Sequence, residues 1–82
     1  MHDQRQHLAL ANRHLMEADE RIARQRHRIE RRRRAGRITE DLEDFLALLL
    51  QTRELMLPRQ KQLEREVLRL DRLDSVKQFQ SW

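Results

Sequence analysis

Leu8, Leu15, Ile22 and Ile29 recur at every seventh residue, and so do Leu42, Leu49, Met56, Leu63 and Leu70, on either side of the chain's only glycine, Gly36. An α-helix returns to nearly the same face after seven residues, whereas a strand alternates with a period of two. Each series is therefore one apolar stripe on one helix. Ala11 and Ala18 follow the first two members of the first series by three residues, at the companion position of a coiled-coil seam. The next companion positions are Gln25 and Arg32, so that seam turns polar toward its end. Phe45, Leu46, Val67 and Leu73 widen the second stripe. Composition agrees with helix: the chain has one glycine, one proline and no tyrosine in 82 residues, and Leu, Arg, Glu, Gln and Ala dominate. A charged fraction of 39% raises the question of disorder, and the sustained heptads argue against it.

The helix ends are also written in the residues. Gly36 follows a cationic run, where glycine at C′ adopts the left-handed conformation at little cost. Thr39 offers an N-cap hydroxyl, and Glu40 and Asp41 suit the positive end of the next helix dipole. Glu17–Arg21, Glu20–Arg24 and Glu30–Arg34 are i,i+4 pairs with the acid first, the favoured order. The expected fold is all-α: a coiled-coil-like, two-helix antiparallel hairpin in one domain, residues 1–82. Helix one covers about residues 4–35, the turn residues 36–39, and helix two about residues 40–79. Pro58 predicts a bend near that position, with a clean break as the alternative. The tail from Ser75 is expected to fray, with Phe79 and Trp82 available to dock on a neighbour. The antiparallel register places Ile29 near Leu42 and Phe45, and Leu8 near Leu63 or Val67.

Between residues 45 and 57 the apolar side chains nearly surround the second helix, and one partner helix cannot cover them all. The expected remedy is a second copy, closing a four-helix bundle. Phe45, Leu46, Leu48, Leu49, Leu50, Met56 and Leu57 are the candidate oligomer or partner interface. The functional expectation is a small non-enzymatic interaction or adaptor protein, a homodimer with a further protein partner not identified by the sequence.

The alternative expectation is a basic nucleic-acid-binding accessory protein. Residues 21–37 hold nine arginines and one acid, Glu30. Arg24, Arg28, Arg31, Arg32, Arg33 and Arg34 are the candidate contacts to phosphate or to an acidic partner, and Arg21, Arg24, Arg28 and Arg31 share one helix face. Sixteen arginines against two lysines favour bidentate anion recognition. The competing expectation is that the turn carries Glu40, Asp41, Glu43 and Asp44 back beside the arginines and absorbs much of their charge as surface ion pairs. No aromatic residue interleaves with the run, so base stacking is not indicated.

Other classes have less support. There is no cysteine for a disulfide, a thiolate metal site or a thiol nucleophile, and no glycine-rich phosphate loop. Serine occurs only at Ser75 and Ser81. His7 and His14 lie about 10 Å apart along a helix, too far to share a metal, and Asp3 with His7 makes only a weak chelating pair. No metal, cofactor or catalytic residue is therefore expected. The N-terminus, MHDQRQH, lacks the apolar core of a secretory signal, and the apolar run at residues 45–50 is too short to span a bilayer. The expected location is cytoplasmic.

The text LALANRHLMEADERIARQRHRIERRRRAGRITEDLEDFLALL, within residues 8–56, resembles a group of short bacterial proteins with no established activity. They share an "ADRHIAEGERRIARQ"-like basic first helix, a glycine-containing turn and "TEDAEALLALLE"-like text. The resemblance implies a helical hairpin of bacterial cytoplasmic origin and carries no site residues across. Pro58 and the tail after it depart from the group's pattern.

Overall fold

The structure, a computed structural model, describes residues 3–80, with side chains through residue 76. Two α-helices, α1 (Gln4–Arg34) and α2 (Glu40–Gln80), lie side by side as an antiparallel hairpin. A 41-residue helix is about 61 Å long. The whole molecule measures 72 × 19 × 17 Å, so it is a rod little longer than α2.

Local chemistry sets each end. Asp3, in extended backbone, caps α1 by accepting the backbone N–H of Arg5. That bond, helped by the Arg5 guanidinium, holds the Asp3 carboxyl below its ordinary range. Asp3 and His7 thus have roles other than chelation: Asp3 caps, and His7 Nδ1 lies 3.1 Å from Gln4 Oε1. At the far end, Gly36 takes φ +71°, as its place in the sequence predicts. Its N–H donates to the Arg33 carbonyl at 3.0 Å, and the Arg37 N–H donates to the Arg32 carbonyl, also at 3.0 Å. These two bonds make a Schellman motif, which satisfies carbonyls that the end of a helix would otherwise leave open. α2 then starts at Glu40, with the Thr39 carbonyl accepting the Glu43 N–H at 2.9 Å. The expected capping bond from the Thr39 hydroxyl is not made.

α2 is continuous through Pro58 and does not break there. The reason lies in the position of the ring. Pro58 is exposed, and the Glu54 carbonyl that loses its donor is on the same outer face, where water can serve it. The backbone stays helical to Gln80, so the expected fraying from Ser75 is absent that far. The side chains of Phe79 and Trp82 lie outside the described residues.

The heptad stripes meet along the rod. Hollows between the helices bring Ala11 beside Leu63, Ala18 beside Leu49 and Met56, and Ile29 beside Leu46. Among the described residues only Ile22, Ile29 and Leu63 become buried apolar residues, and Leu8, Leu15, Leu42, Leu49, Met56 and Leu70 are half-buried. Each helix has a single neighbour, and one neighbour covers only part of a side chain's surface. Gln25 is the buried polar member of the seam, and its Nε2 donates to the Leu42 carbonyl at 2.9 Å. That bond ties the middle of α1 to the first turn of α2.

The shape leaves much surface in water. The chain exposes 7210 Å², whereas a compact monomer of 10.1 kDa exposes about 5,300 Å². Its radius of gyration is 19.7 Å, against about 12 Å for a compact fold of this length.

Two substitutions test this account by urea denaturation. Gln25→Ala removes the buried bond and leaves a small void, and is expected to cost about 1–2 kcal/mol. Pro58→Ala restores a backbone donor inside α2 and is expected to add about 2 kcal/mol. A loss on Pro58→Ala would mean that α2 needs the proline's geometry.

Candidate interaction surface

The two long sides of the hairpin differ. On one side, polar pairs cross from α1 to α2 along almost its whole length. Arg5 Nη2 donates to Asp71 Oδ1 at 2.8 Å and to Asp74 Oδ2 at 3.1 Å. Gln60 Nε2 donates to Asn12 Oδ1 at 3.0 Å. Arg53 pairs with Asp19, and Arg33 with Glu43. Arg5, Asn12, Asp19 and Arg33 fall on one heptad line of α1, whose remaining member is Arg26. Arg26 sits with Leu46 and Glu43 at the same edge. The contact with Asp71 raises the pKa of Arg5 further above its already high value. Such exposed pairs each contribute about 1 kcal/mol or less, so their main effect is to fix register and close this side.

On the opposite side no pair of polar side chains crosses between the helices among the described contacts, and the polar link there is from Gln25 Nε2 to the Leu42 carbonyl. Its α1 edge is the heptad line His7, His14, Arg21 and Arg28, and its α2 edge carries Phe45, Thr52 and Arg59. Between those edges run shallow grooves floored by Ala11, Ala18, Leu49, Met56 and Leu63. Exposed apolar residues line its outer flank: Phe45 is 49% exposed, Leu48 57% and Leu55 74%. Leu73 and Val76 are also exposed, and each lies a whole number of heptads from Phe45 and Leu48 respectively, so the same flank continues to the far end. Glu66, on the heptad line of Phe45, Thr52 and Arg59, has an enclosed Oε2 with no hydrogen-bond partner.

The structure divides the apolar residues singled out from the sequence. Phe45 and Leu48 are exposed on the open side. Leu46, Leu49, Leu50, Met56 and Leu57 are half-buried, because α1 already covers part of each. Leu55 belongs with Leu48, seven residues before it, and the heptad interval is the signal that links the two.

The arginines divide as well. Arg33 pairs with Glu43, and Arg34 with Glu30 at 2.7 Å. Among the described residues Arg24, Arg28, Arg31 and Arg32 are exposed and make no ion pair, and the same holds for Arg21, Arg26 and Arg37. The acids of the turn therefore do not absorb the charge as expected: of Glu40, Asp41, Glu43 and Asp44, only Glu43 reaches an arginine. The other three acids are exposed and lie beyond pairing distance of the arginines. Nor do the i,i+4 pairs Glu17–Arg21 and Glu20–Arg24 form. Arg28, Arg31, Arg32 and Arg37 instead surround a shallow hollow of about 290 Å³ over Ala35. Arg37 joins this group only because the left-handed turn at Gly36 folds it back, which no periodicity along the helix reveals.

Among the described residues no three His, Asp or Glu side chains converge as metal ligands, and no helix is long and apolar enough to cross a membrane. Compared with protein-family models, curated proteins and solved structures, the chain has no match.

Proposed function

We propose that the protein is a small non-enzymatic interaction protein that acts as a homodimer, two hairpins meeting through their open sides to make a four-helix bundle. The observation that carries this reading is the unequal pair of sides. One is closed by polar pairs, and the other presents Phe45, Leu48, Leu55, Leu73 and Val76 beside an apolar groove. The surplus exposed surface, about 1,900 Å², is more than twice what one partner buries in a standard-size interface.

Charge favours one arrangement of the two rods. Residues 21–53, the turn half, carry ten arginines and five acids, and the rest of the chain carries eight cations and nine acids. Rods that run antiparallel set each basic half against a nearly neutral one. Rods with both turns at one end set two basic halves together. The antiparallel bundle is therefore the one proposed.

Sedimentation equilibrium tests the dimer. The native chain is expected to show twice its own mass, and Leu48→Glu with Leu55→Glu to weaken association about 100-fold or more. Leu68→Glu, at an exposed leucine on the far face of α2, is expected to leave the mass unchanged. A native chain that stays monomeric at every concentration would overturn the reading. Orientation has its own test, because the chain lacks cysteine. Ile38→Cys, at the 81% exposed tip, is expected not to cross-link within the dimer on oxidation.

A further inference from the structure

We infer that the arginine edge at the turn end is a binding surface for the phosphate backbone of duplex nucleic acid. Arg24, Arg28 and Arg31 run along one edge of α1, and Arg32 and Arg37 close the strip at its end. All five are exposed, and none is neutralised by a carboxylate. The acids nearest in sequence had the opportunity: Glu40 and Asp41 open the first turn of α2 and still make no pair. A charge-balanced turn would leave nothing to bind. This one leaves a single-sign surface.

The turn itself sharpens the point. In a Schellman motif the residue at C″ usually makes an apolar contact with one near C3. Here those positions are Arg37 and Arg32, and both line the hollow over Ala35. Two guanidinium groups occupy a place where an apolar pair would stabilise the fold. An anion bound between them removes that repulsion and gains bidentate hydrogen bonds.

Spacing and composition identify the anion's source. From Arg24 to Arg32 the helix rises about 12 Å. A duplex presents one phosphate charge per about 1.7 Å of its axis, so that length faces about seven charges. An extended array of arginines suits an extended polyanion. No aromatic residue interleaves with the arginines along α1, and Phe45, which lines the groove beside Arg24 and Arg28, is a single ring rather than a stacking platform, which favours backbone contact over single-strand recognition. Between residues 21 and 34 of α1, Ile22 and Ile29 are buried in the seam. Phe45 beside Arg24 and Arg28 and the exposed Ile38 next to Arg37 are apolar neighbours of the strip, so the vesicle and poly-glutamate controls below separate a bilayer or an acidic protein from nucleic acid. The inference goes beyond dimerisation and is measured separately from it: Arg31, Arg32 and Arg37 surround the hollow at the tip, and because Arg24 and Arg28 also line the open-side groove, sedimentation equilibrium on each variant separates a loss of dimer from a loss of duplex binding.

The test is fluorescence anisotropy of a short labelled DNA duplex of mixed sequence, titrated with the full chain between about 50 and 200 mM salt. Binding is expected with a log–log salt slope of about −4 to −5, set by five arginine contacts. Reversal of three, Arg24→Glu, Arg31→Glu and Arg32→Glu, is expected to weaken binding about 100-fold or more. The neutral set Arg24→Gln, Arg31→Gln and Arg32→Gln keeps a helical composition and is expected to make the slope shallower by about 3. It keeps the test decisive should the reversed chain fail to fold. Reversing Lys61, Arg65 and Arg72 changes net charge equally at the other end of the rod and is expected to have a several-fold smaller effect. Absence of duplex binding across the salt range would overturn the inference, as would equal losses in the two reversed chains. Equal affinity for poly-glutamate or for phosphatidylserine vesicles, with the same sensitivity to the Gln set, would overturn nucleic acid as the occupant.

Discussion

The left-handed residue at Gly36 is the constraint from which the rest of the molecule follows. It ends α1 after Arg34 and sends the chain back within five residues. A turn that short fixes which residue of α2 can stand beside a given residue of α1. Ala11 then meets Leu63, Ala18 meets Leu49 and Met56, and Gln25 reaches the Leu42 carbonyl. The same register lines up Asn12 with Gln60 and Asp19 with Arg53 on one side. The heptads give each helix a stripe, and the turn decides what each stripe meets.

A two-helix rod has a structural deficit that this register does not remove. Each helix has one neighbour, so even a well-patterned seam buries few side chains completely. Three apolar residues reach that state among the described residues. Small chains commonly meet this deficit with disulfides, metals or association. Without cysteine the first is closed to this one. The polar pairs close one side at little gain in stability, and the apolar flank concentrates on the other. The association proposed through that flank would answer the deficit, and it would leave the hollow ringed by Arg31, Arg32 and Arg37 at the tip of the rod.

Two features illustrate how electrostatics and packing part company here. Arg33 and Arg34 look in the sequence like their neighbours Arg31 and Arg32, yet they find Glu43 and Glu30 while the others find nothing. For Arg33 the difference is rotation around the helix: consecutive residues are turned by about 100°, so Arg33 faces the returning helix and Arg32 does not, whereas Arg34 pairs within α1 with the acid four residues before it. Pro58 shows the same dependence on rotation. On the outer face of α2 it leaves a carbonyl to water and the helix intact, whereas on the inner face it would open the seam.

Sequence alone determined the helices, their polarity and the position of the turn, because these depend on local rules: heptad spacing, the conformational freedom of Gly36 and the acids at the start of α2. It also marked the arginines and the leucine-rich run as unusual. It could not say which leucines α1 would cover. Leu49, Leu50 and Leu48 are neighbours in the chain, and only rotation and register leave Leu48 in water while half-burying the other two. Nor could it say that Glu40, Asp41 and Asp44 would make no pair with the arginines, that Arg37 would fold back beside Arg32, or that Gln25 would be buried. Those facts depend on where a side chain of one helix falls in relation to another, and only the tertiary structure fixes that relation.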